Sequence, residues 1–511
     1  MKIAQYHGPD GKNDNVRFIK GEDRRVLDMH WDRVYVTTLF SFEFARIAKA
    51  IDFAVEVVNG STDRIFVGGI AASLMHGKFS SESRWSGIRF IKGLLNKSPA
   101  ASLQLDSFSG ELYADDIAGL PIEDHIPDYS ILDQIDYEYP VIDAYFGYAS
   151  RGCVRKCKFC GVPKLEGMQR DVESLSDIIN GIERQYGAKK DLVLMDNNVV
   201  ASNRFKEIMA EIRDLGFAKD AKLKRNGRAV ARRVDFNQGV DARILCKDPM
   251  FLRELSTICI RPLRIAFDHA GLRKPYEQAI RYAHEFGLNE LSNYMLYNFY
   301  DSPQDLFDRM WLNVSINEEL GTRIFSFPMR YQPTDRPDRG HIGVKWNRYW
   351  LRSFQIILQA THGIVSGSPE FFKHAFGDSF EEFENILYMP HAYIRNRTWF
   401  STHGGKPELE SFRARFLKLT DQDRCDLLSV LTEHSSPDFN AELARSQNAK
   451  LRDLAPHYRK VPVEEEREIW EKMKEVQYAQ EEFSRQDAED PVFVPDDERV
   501  EDAGLNEPIE A

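Results

Sequence analysis

Cysteine is scarce in this chain, six among 511 residues, which excludes the disulfide framework of a small secreted scaffold. No apolar run approaches the ~18 residues that would suggest a membrane span. The N-terminus, MKIAQYHGPDGKNDN, lacks the hydrophobic stretch of a signal peptide. A soluble, reducing, cytoplasmic setting is therefore expected, with no membrane partner. Positive charge is not in excess either. The net charge is −12, and residues 461–511 hold 18 Asp/Glu against 5 Lys/Arg, so that segment carries −13 and the remainder +1. A near-neutral body gives no strong nucleic-acid signal, and the acidity describes a tail rather than a substrate site.

What is present is a chain long enough for two to four domains. RVYVTTLF (33–40) and RIFVGGIAAS (64–73) read as buried strands with a helical AKAIDFAVEVV between them, which predicts a small Rossmann-like unit over residues 1–135. Gly68-Gly69 suits turn chemistry better than a phosphate loop, and residues 100–140 read as a linker. From residue 140 to 345 strands and amphipathic helices alternate. The strands are VIDAYFGY (141–148), DLVLMDN (191–197), VDFNQGVDA (234–242), RPLRIAFDH (261–269), NYMLYNF (293–299) and RIFSFPMRY (323–331). Helices fall between them, one of them behind Ser174. Six such units predict a parallel sheet with right-handed crossovers closing into a partial βα barrel, its chemistry at the strands' C-terminal ends. Residues 346–460 read as mainly helical, and 461–511 as an acidic helix followed by a disordered tail.

Half of the cysteines stand in one stretch, GYASRGCVRKCKFCGVPK (147–164), directly after the first of the six strands. Cys153, Cys157 and Cys160 form C-x3-C-x2-C. Clustered thiolates invite a soft metal or an iron–sulfur cluster. Structural zinc normally takes four ligands, often from two CxxC pairs. No second pair follows, and Cys246, Cys259, Cys425 or a histidine would have to supply the fourth from a distance. Three thiolates match a 4Fe-4S cluster with one iron left open to chelate a ligand.

The motif, with aromatic Phe159 just before the third cysteine and the βα units around it, resembles the radical S-adenosylmethionine (SAM) superfamily over residues 140–345. The resemblance implies a 4Fe-4S cluster on Cys153, Cys157 and Cys160, and SAM bound at its open iron. Reduction by a donor such as flavodoxin or ferredoxin would cleave SAM to methionine and a 5′-deoxyadenosyl radical, which takes hydrogen from a substrate, small or macromolecular, that the sequence does not identify. It also implies cofactor contacts from Phe159, from Asp196, Asn197 and Asn198 at the second strand's end, and from Gln238, Asp241 and Arg243 at the third. The usual Gly-Gly-Glu is replaced by Asp196-Asn197-Asn198, which looks like subfamilies with an upstream cobalamin-binding domain. A turn or helix cap is the alternative role for these three residues. Gln238 and Asp241 would face opposite ways along a regular strand. Arg264, Asp268, His269, Tyr297 and Asn298 end the next strands and are open to substrate-lining or structural roles. Arg330-Tyr331 and the segment 336–348 could meet an anionic group or be a solvated loop.

The N-terminal unit resembles a cobalamin-binding domain, but the D-x-H-x-x-G lower-ligand motif is absent. Lone His7, His30 and His76 suit surface or core positions. Cobalamin is possible but not favoured over a degenerate domain serving as scaffold or lid. With no cysteine before Cys153 and only Cys425 after Cys259, a single cluster is expected, and Cys246 and Cys259 read as buried small hydrophobes. Radical SAM catalysis is the leading reading. A cobalamin-dependent radical SAM methyltransferase is the first alternative, and a non-catalytic metal-binding interaction protein with the acidic tail as partner arm is the second.

Overall fold

The computed structural model describes residues 1–96, 119–172, 174–433 and 438–472. The expected tail beyond residue 472 and residues 100–118 of the expected linker lie outside the described residues. The chain is a mixed α/β protein with parallel sheets, and it divides into two compact units. One comprises Met1–Tyr294 with Arg330–His341, the other Met295–Met329 with the chain from Ile342 onward.

The first unit opens with three parallel strands, β1 (Val34–Thr38), β2 (Ile65–Gly69) and β3 (Arg89–Phe90), in the order β1-β2-β3. The helix Phe44–Val57 places Ile47, Ala48, Ile51 and Ala54 on one face at three- and four-residue spacing, and these pack with Ile65, Val67, Phe79, Trp85 and Phe90. Gly69 has φ +100°, and a Cβ there would lie 2.3 Å from the Thr38 carbonyl oxygen. The Thr38 hydroxyl donates to the Gly68 carbonyl and accepts from the Ala72 amide, both at 2.9 Å. The glycine pair is thus a tight strand-to-helix turn, and the helix after it, Ile70–Leu74, spans five residues.

The next sheet of this unit is built around β4 (Ala144–Gly147). A short antiparallel pair follows it, β5 (Ser150–Arg151) with β6 (Arg170–Asp171). Then come β7 (Asp191–Leu194), a hairpin of β8 (Lys222–Arg225) and β9 (Arg228–Ala231), and β10 (Val234–Phe236). β4, β7 and β10 are parallel in the order β10-β7-β4. Leu192 and Leu194 are fully buried and Val193 nearly so, the continuous apolar run expected of a strand covered on both faces. Covering helices include Leu175–Tyr186, whose Ser174 side chain accepts from the Asp177 amide, and Phe205–Ile212. Parallel bridges Val234↔Ile260 and Val240↔Ile265 lead on to β11 (Leu263–Arg264), which pairs in parallel with the start of β12 (Glu290–Tyr297). Arg264 is 1% exposed and makes a two-point ion pair with Asp235, both contacts 2.8 Å, plus a bond to Ser292.

The strand expected over 234–242 stops at Phe236. Gly239 turns the chain at φ +78°, and Asp241 caps a one-turn helix, Ala242–Leu245, by accepting from the Arg243 amide. The face alternation expected for Gln238 and Asp241 therefore does not apply.

The second unit contains the end of β12, the helix Pro303–Leu320 and β13 (Arg323–Arg330, its last residue in the first unit). The helix begins in a capping box between Ser302 and Asp305. Helices from Arg348–Ala360 to Ala449–Leu454 follow around Phe307, Phe354, Phe372, Phe376 and Phe383. Arg309 is buried and satisfied by the Leu296 carbonyl at 2.8 Å and by Asp301. Residues 463–472 are helical. Among the described residues no helix is long and apolar enough to cross a membrane.

Candidate functional site

The three clustered cysteines sit on the loop between β5 and β6, immediately after β4. The loop is held at its base by geometry that only glycine permits. Gly152 has φ +77°, and a Cβ there would stand 2.4 Å from the Met168 carbonyl oxygen. The Cys153 amide donates to the Gly167 carbonyl at 3.3 Å and the Cys160 amide to the Cys157 carbonyl at 3.1 Å. The half-buried Cys153, Cys157 and Cys160 line one cavity of about 120 Å³ together with Arg155, Val162, Asn197 and Gln238. Two sulfurs receive backbone donors, Cys153 from the Arg155 amide and Cys160 from the Val162 amide, each at 3.4 Å.

Burial pushes the Cys160 thiol up to about 11, and burial together with Asp268 raises that of Cys157. Without a metal these two groups are thiols, so ligation must release protons. Among the described residues no three His, Cys, Asp or Glu side chains converge to hold a single metal ion. A 4Fe-4S cluster takes each thiolate at a separate iron, so sulfurs spaced around a cavity fit it. The cavity lining contains no fourth acidic, histidine or cysteine side chain. The donor set therefore fits a cluster with one iron free of protein ligand.

At the end of β7, the three residues following Met195 separate. Asp196 is fully buried and turns to the root of the cysteine loop, accepting from the Ala149 amide at 2.9 Å, the Ser150 hydroxyl at 2.7 Å and the Ser150 amide. Burial pushes its carboxyl up to about 6, against the pull of those donors. Asn197 lines the cavity and donates to Glu166 at 2.9 Å. Asn198 is buried. Its side-chain oxygen accepts from the Asp241 amide, its carbonyl accepts from Gln169, and its Nδ2 has no partner.

At the end of β10, Gln238 lines the cavity. Asp241, 7% exposed, accepts from Arg155 Nε at 2.6 Å and from Arg243 Nε at 2.8 Å. The side chains of Arg243 and Arg155, with the Arg243 amide, outweigh burial and hold its carboxyl below the ordinary range, although burial is the largest single influence. Buried Asn237 Oδ1 and Gln169 Oε1 are likewise without partners. Asn198 and Asn237 stand next in sequence to the lining residues Asn197 and Gln238, and unpaired buried polar atoms of this kind are costly. Phe159 is half-buried on the loop between Cys157 and Cys160.

The remaining candidates are dispersed. Arg264 is spent on Asp235, and His269 precedes the short helix Ala270–Leu272. In the second unit Asn298 Oδ1 accepts from the Gly343 amide at 2.7 Å, and Tyr297 packs on Trp346 and Phe354. Arg330 donates to the carbonyls of Arg339 and His341, and Tyr331 meets the His341 ring edge-on. His7 is fixed between Asp14 and Tyr35, each contact 2.7 Å, and His76 meets the Phe90 carbonyl. His30 is exposed beside Asp32 and Arg64.

Sequence reasoning missed Glu166, which accepts from Arg151, the Gly152 amide and Asn197. It also missed Arg155. A charged residue inside the motif's variable positions was the available signal for Arg155; nothing marked Glu166.

No family model matches the chain, and no curated protein matches it in sequence. Two solved structures of the radical S-adenosylmethionine methyltransferase TsrM from Kitasatospora setae are similar to it, each at 14% identity. One contains cobalamin and a [4Fe-4S] cluster, and the other a tryptophan substrate and a SAM analogue. The matches cover 61% of this chain and 67% and 66% of those chains, with TM-scores of 0.40 and 0.41. A likeness of that size leaves the chemistry to rest on the residues described above.

Proposed function

We propose that the chain is a radical SAM enzyme of unidentified substrate, in which Cys153, Cys157 and Cys160 hold a 4Fe-4S cluster and SAM lies against it. The observation that carries this reading is the common cavity: three thiols from one loop, with Asn197 and Gln238 reaching it just beyond the ends of two parallel strands. The run β4-β7-β10, continued by parallel bridges to β11 and then β12, supports a partial βα barrel, in which ligands sit at the C-terminal ends of strands. The cluster, when bound and reduced by a flavodoxin- or ferredoxin-type donor, supplies the electron for reductive SAM cleavage. The chain's own residues do the rest. Asn197 and Gln238 offer amides to a polar ligand, and Val162 gives the cavity an apolar edge.

Anaerobic reconstitution tests the reading. Wild type should bind about four irons per chain and release 5′-deoxyadenosine when reduced with SAM present; Cys157→Ala should lose most of the iron and all of the product. Stoichiometric zinc without iron would overturn both the catalytic reading and its cobalamin variant, leaving the metal-binding interaction protein. One observation favours the cobalamin-dependent variant as a second reading. Leu39 and Ile70, just past the ends of β1 and β2, are 47% and 42% exposed, an apolar surface where a Rossmann-like sheet binds ligands. One cobalamin per chain after reconstitution would favour it.

A further inference from the structure

Asp241 and Arg243 are absent from the cavity lining, yet they are among the most heavily engaged groups beside it. One Asp241 carboxylate oxygen takes Arg155 Nε at 2.6 Å, and the other takes Arg243 Nε at 2.8 Å and the Arg243 amide at 2.9 Å. The Asp241 amide donates to Asn198 Oδ1 at 3.3 Å. A single 7%-exposed residue thereby ties the cysteine loop, the Ala242–Leu245 helix and the end of β7 together. Arg155 lies midway between Cys153 and Cys157, donates its amide to Cys153 Sγ and lines the cavity with its side chain. Its Nε is committed to Asp241, which fixes the guanidinium on the loop that carries the three cysteines.

From this arrangement we infer that Asp241 is a positioning residue that holds Arg155 over the cysteine cavity, and that Arg155 and Asp241 together set the reduction potential of the cluster held there. The inference rests on the cluster reading proposed above. Arg155 and Arg243 are two cations held by the one Asp241 carboxylate; Arg243 also hydrogen-bonds the Cys157 sulfur, and Asp268 adds a negative charge beside Cys157 and Cys160, a background that is the same in every variant compared. An electron entering the cluster adds negative charge, so a fixed cation stabilises the reduced state and raises the potential; net charge and hydrogen bonds to sulfur are what tune such centres. Removing the carboxylate leaves both cations uncompensated, and removing Arg155 leaves the carboxylate with one partner. The two changes therefore act in opposite directions, which general damage to the loop would not produce.

The test is a redox titration of the full-length, anaerobically reconstituted chain, followed by visible absorbance, with iron counted for each variant. Arg155→Met should move the midpoint potential down, Arg155→Lys should return it near wild type, and Asp241→Asn should move it up. If Arg155→Met retains too little iron to titrate while Arg155→Lys retains it, the cation's role in holding the cluster is supported and the sign of Asp241→Asn decides the rest. An Asp241→Asn potential that is unchanged or lower overturns the inference, as does an iron-replete Arg155→Met titrating like wild type. Iron loss from Asp241→Asn and Arg155→Lys alike, with apo chains that melt as wild type does, assigns the pair to loop geometry alone and overturns the electrostatic role. A wild-type chain that binds no cluster overturns instead the reading on which the inference rests.

Discussion

The root and the middle of the cysteine loop are secured by carboxylates in opposite circumstances. Asp196 at the root is fully buried and is hydrogen-bonded by neutral donors, with Arg151 acting on it only as the weakest influence, so burial wins and its carboxyl is pushed up to about 6. Asp241 at the middle is nearly as buried but sits between two guanidinium groups, and its carboxyl is held below the ordinary range. Burial alone does not decide the charge of a group; the kind of partner does. The root is therefore a hydrogen-bonded anchor, and the middle an electrostatic one.

The largest expected effect comes from breaking the root. Asp196→Ala strands two backbone amides and a hydroxyl in the interior and should cost about 3 kcal/mol in chemical denaturation at neutral pH. The same residue has a pH signature. Its folded value lies above the unfolded 3.8, so the part of the stability linked to its protonation is complete below about 3.8 and is lost as pH rises through about 6, while the hydrogen bonds that Asp196→Ala removes remain at neutral pH. Over that window wild type should lose stability that Asp196→Asn, which does not titrate, keeps level.

Gly152→Ala attacks the join between root and middle. The left-handed backbone and the Met168 carbonyl oppose any side chain, at a cost of about 2 kcal/mol, measured as a lowered denaturation midpoint with an unchanged slope. The smallest effect belongs to the middle. Asp241's folded value lies below 3.8, so its contribution is present above that value and is lost as pH falls through the lower one. Asp241→Asn should flatten the acid limb of the stability profile by about 1 kcal/mol, because both arginine partners are about one-third exposed and screened by solvent. A matching acid limb in the variant would break the contrast between the two anchors.

Local patterning made the parallel strands legible. DLVL (191–194) and RIFSFPMR (323–330) are strands because apolar runs between amphipathic helices have nowhere else to go, though the expected strands ran past them to residues 197 and 331, and Ser174 marks its helix start by capping chemistry that acts over three residues. The third strand was read six residues too long, because VDFNQGVDA keeps β-favouring residues beyond Phe236 while the turn at Gly239 depends on a close approach to Arg264. The hairpin of β8 and β9 carried its own signal in Asn226-Gly227, both with positive φ, but sits among exposed charges that hide its pairing. At the site, the cysteines announced themselves by spacing, and Asn197 and Gln238 by lying at strand ends. The distant partners of Asp196, Glu166 and Asp241 did not, since those bonds join residues 14 to 86 positions apart and only the fold brings them together.

In the sequence the N-terminal three-stranded unit looks like a detachable cassette, separated from the cysteines by a long linker. Its Leu74 nevertheless lies 3.3 Å from where a Cβ on Gly161, the residue after Cys160, would stand. Lys2 meanwhile binds the carbonyl of Glu123, whose carboxylate holds Arg151 at the loop's base. The unit is thus in contact with the loop it precedes, through Leu74 and through Lys2 and Glu123. A chimaera that imports a foreign N-terminal domain would have to match the close approach to position 161 and replace the contact of Lys2 with Glu123.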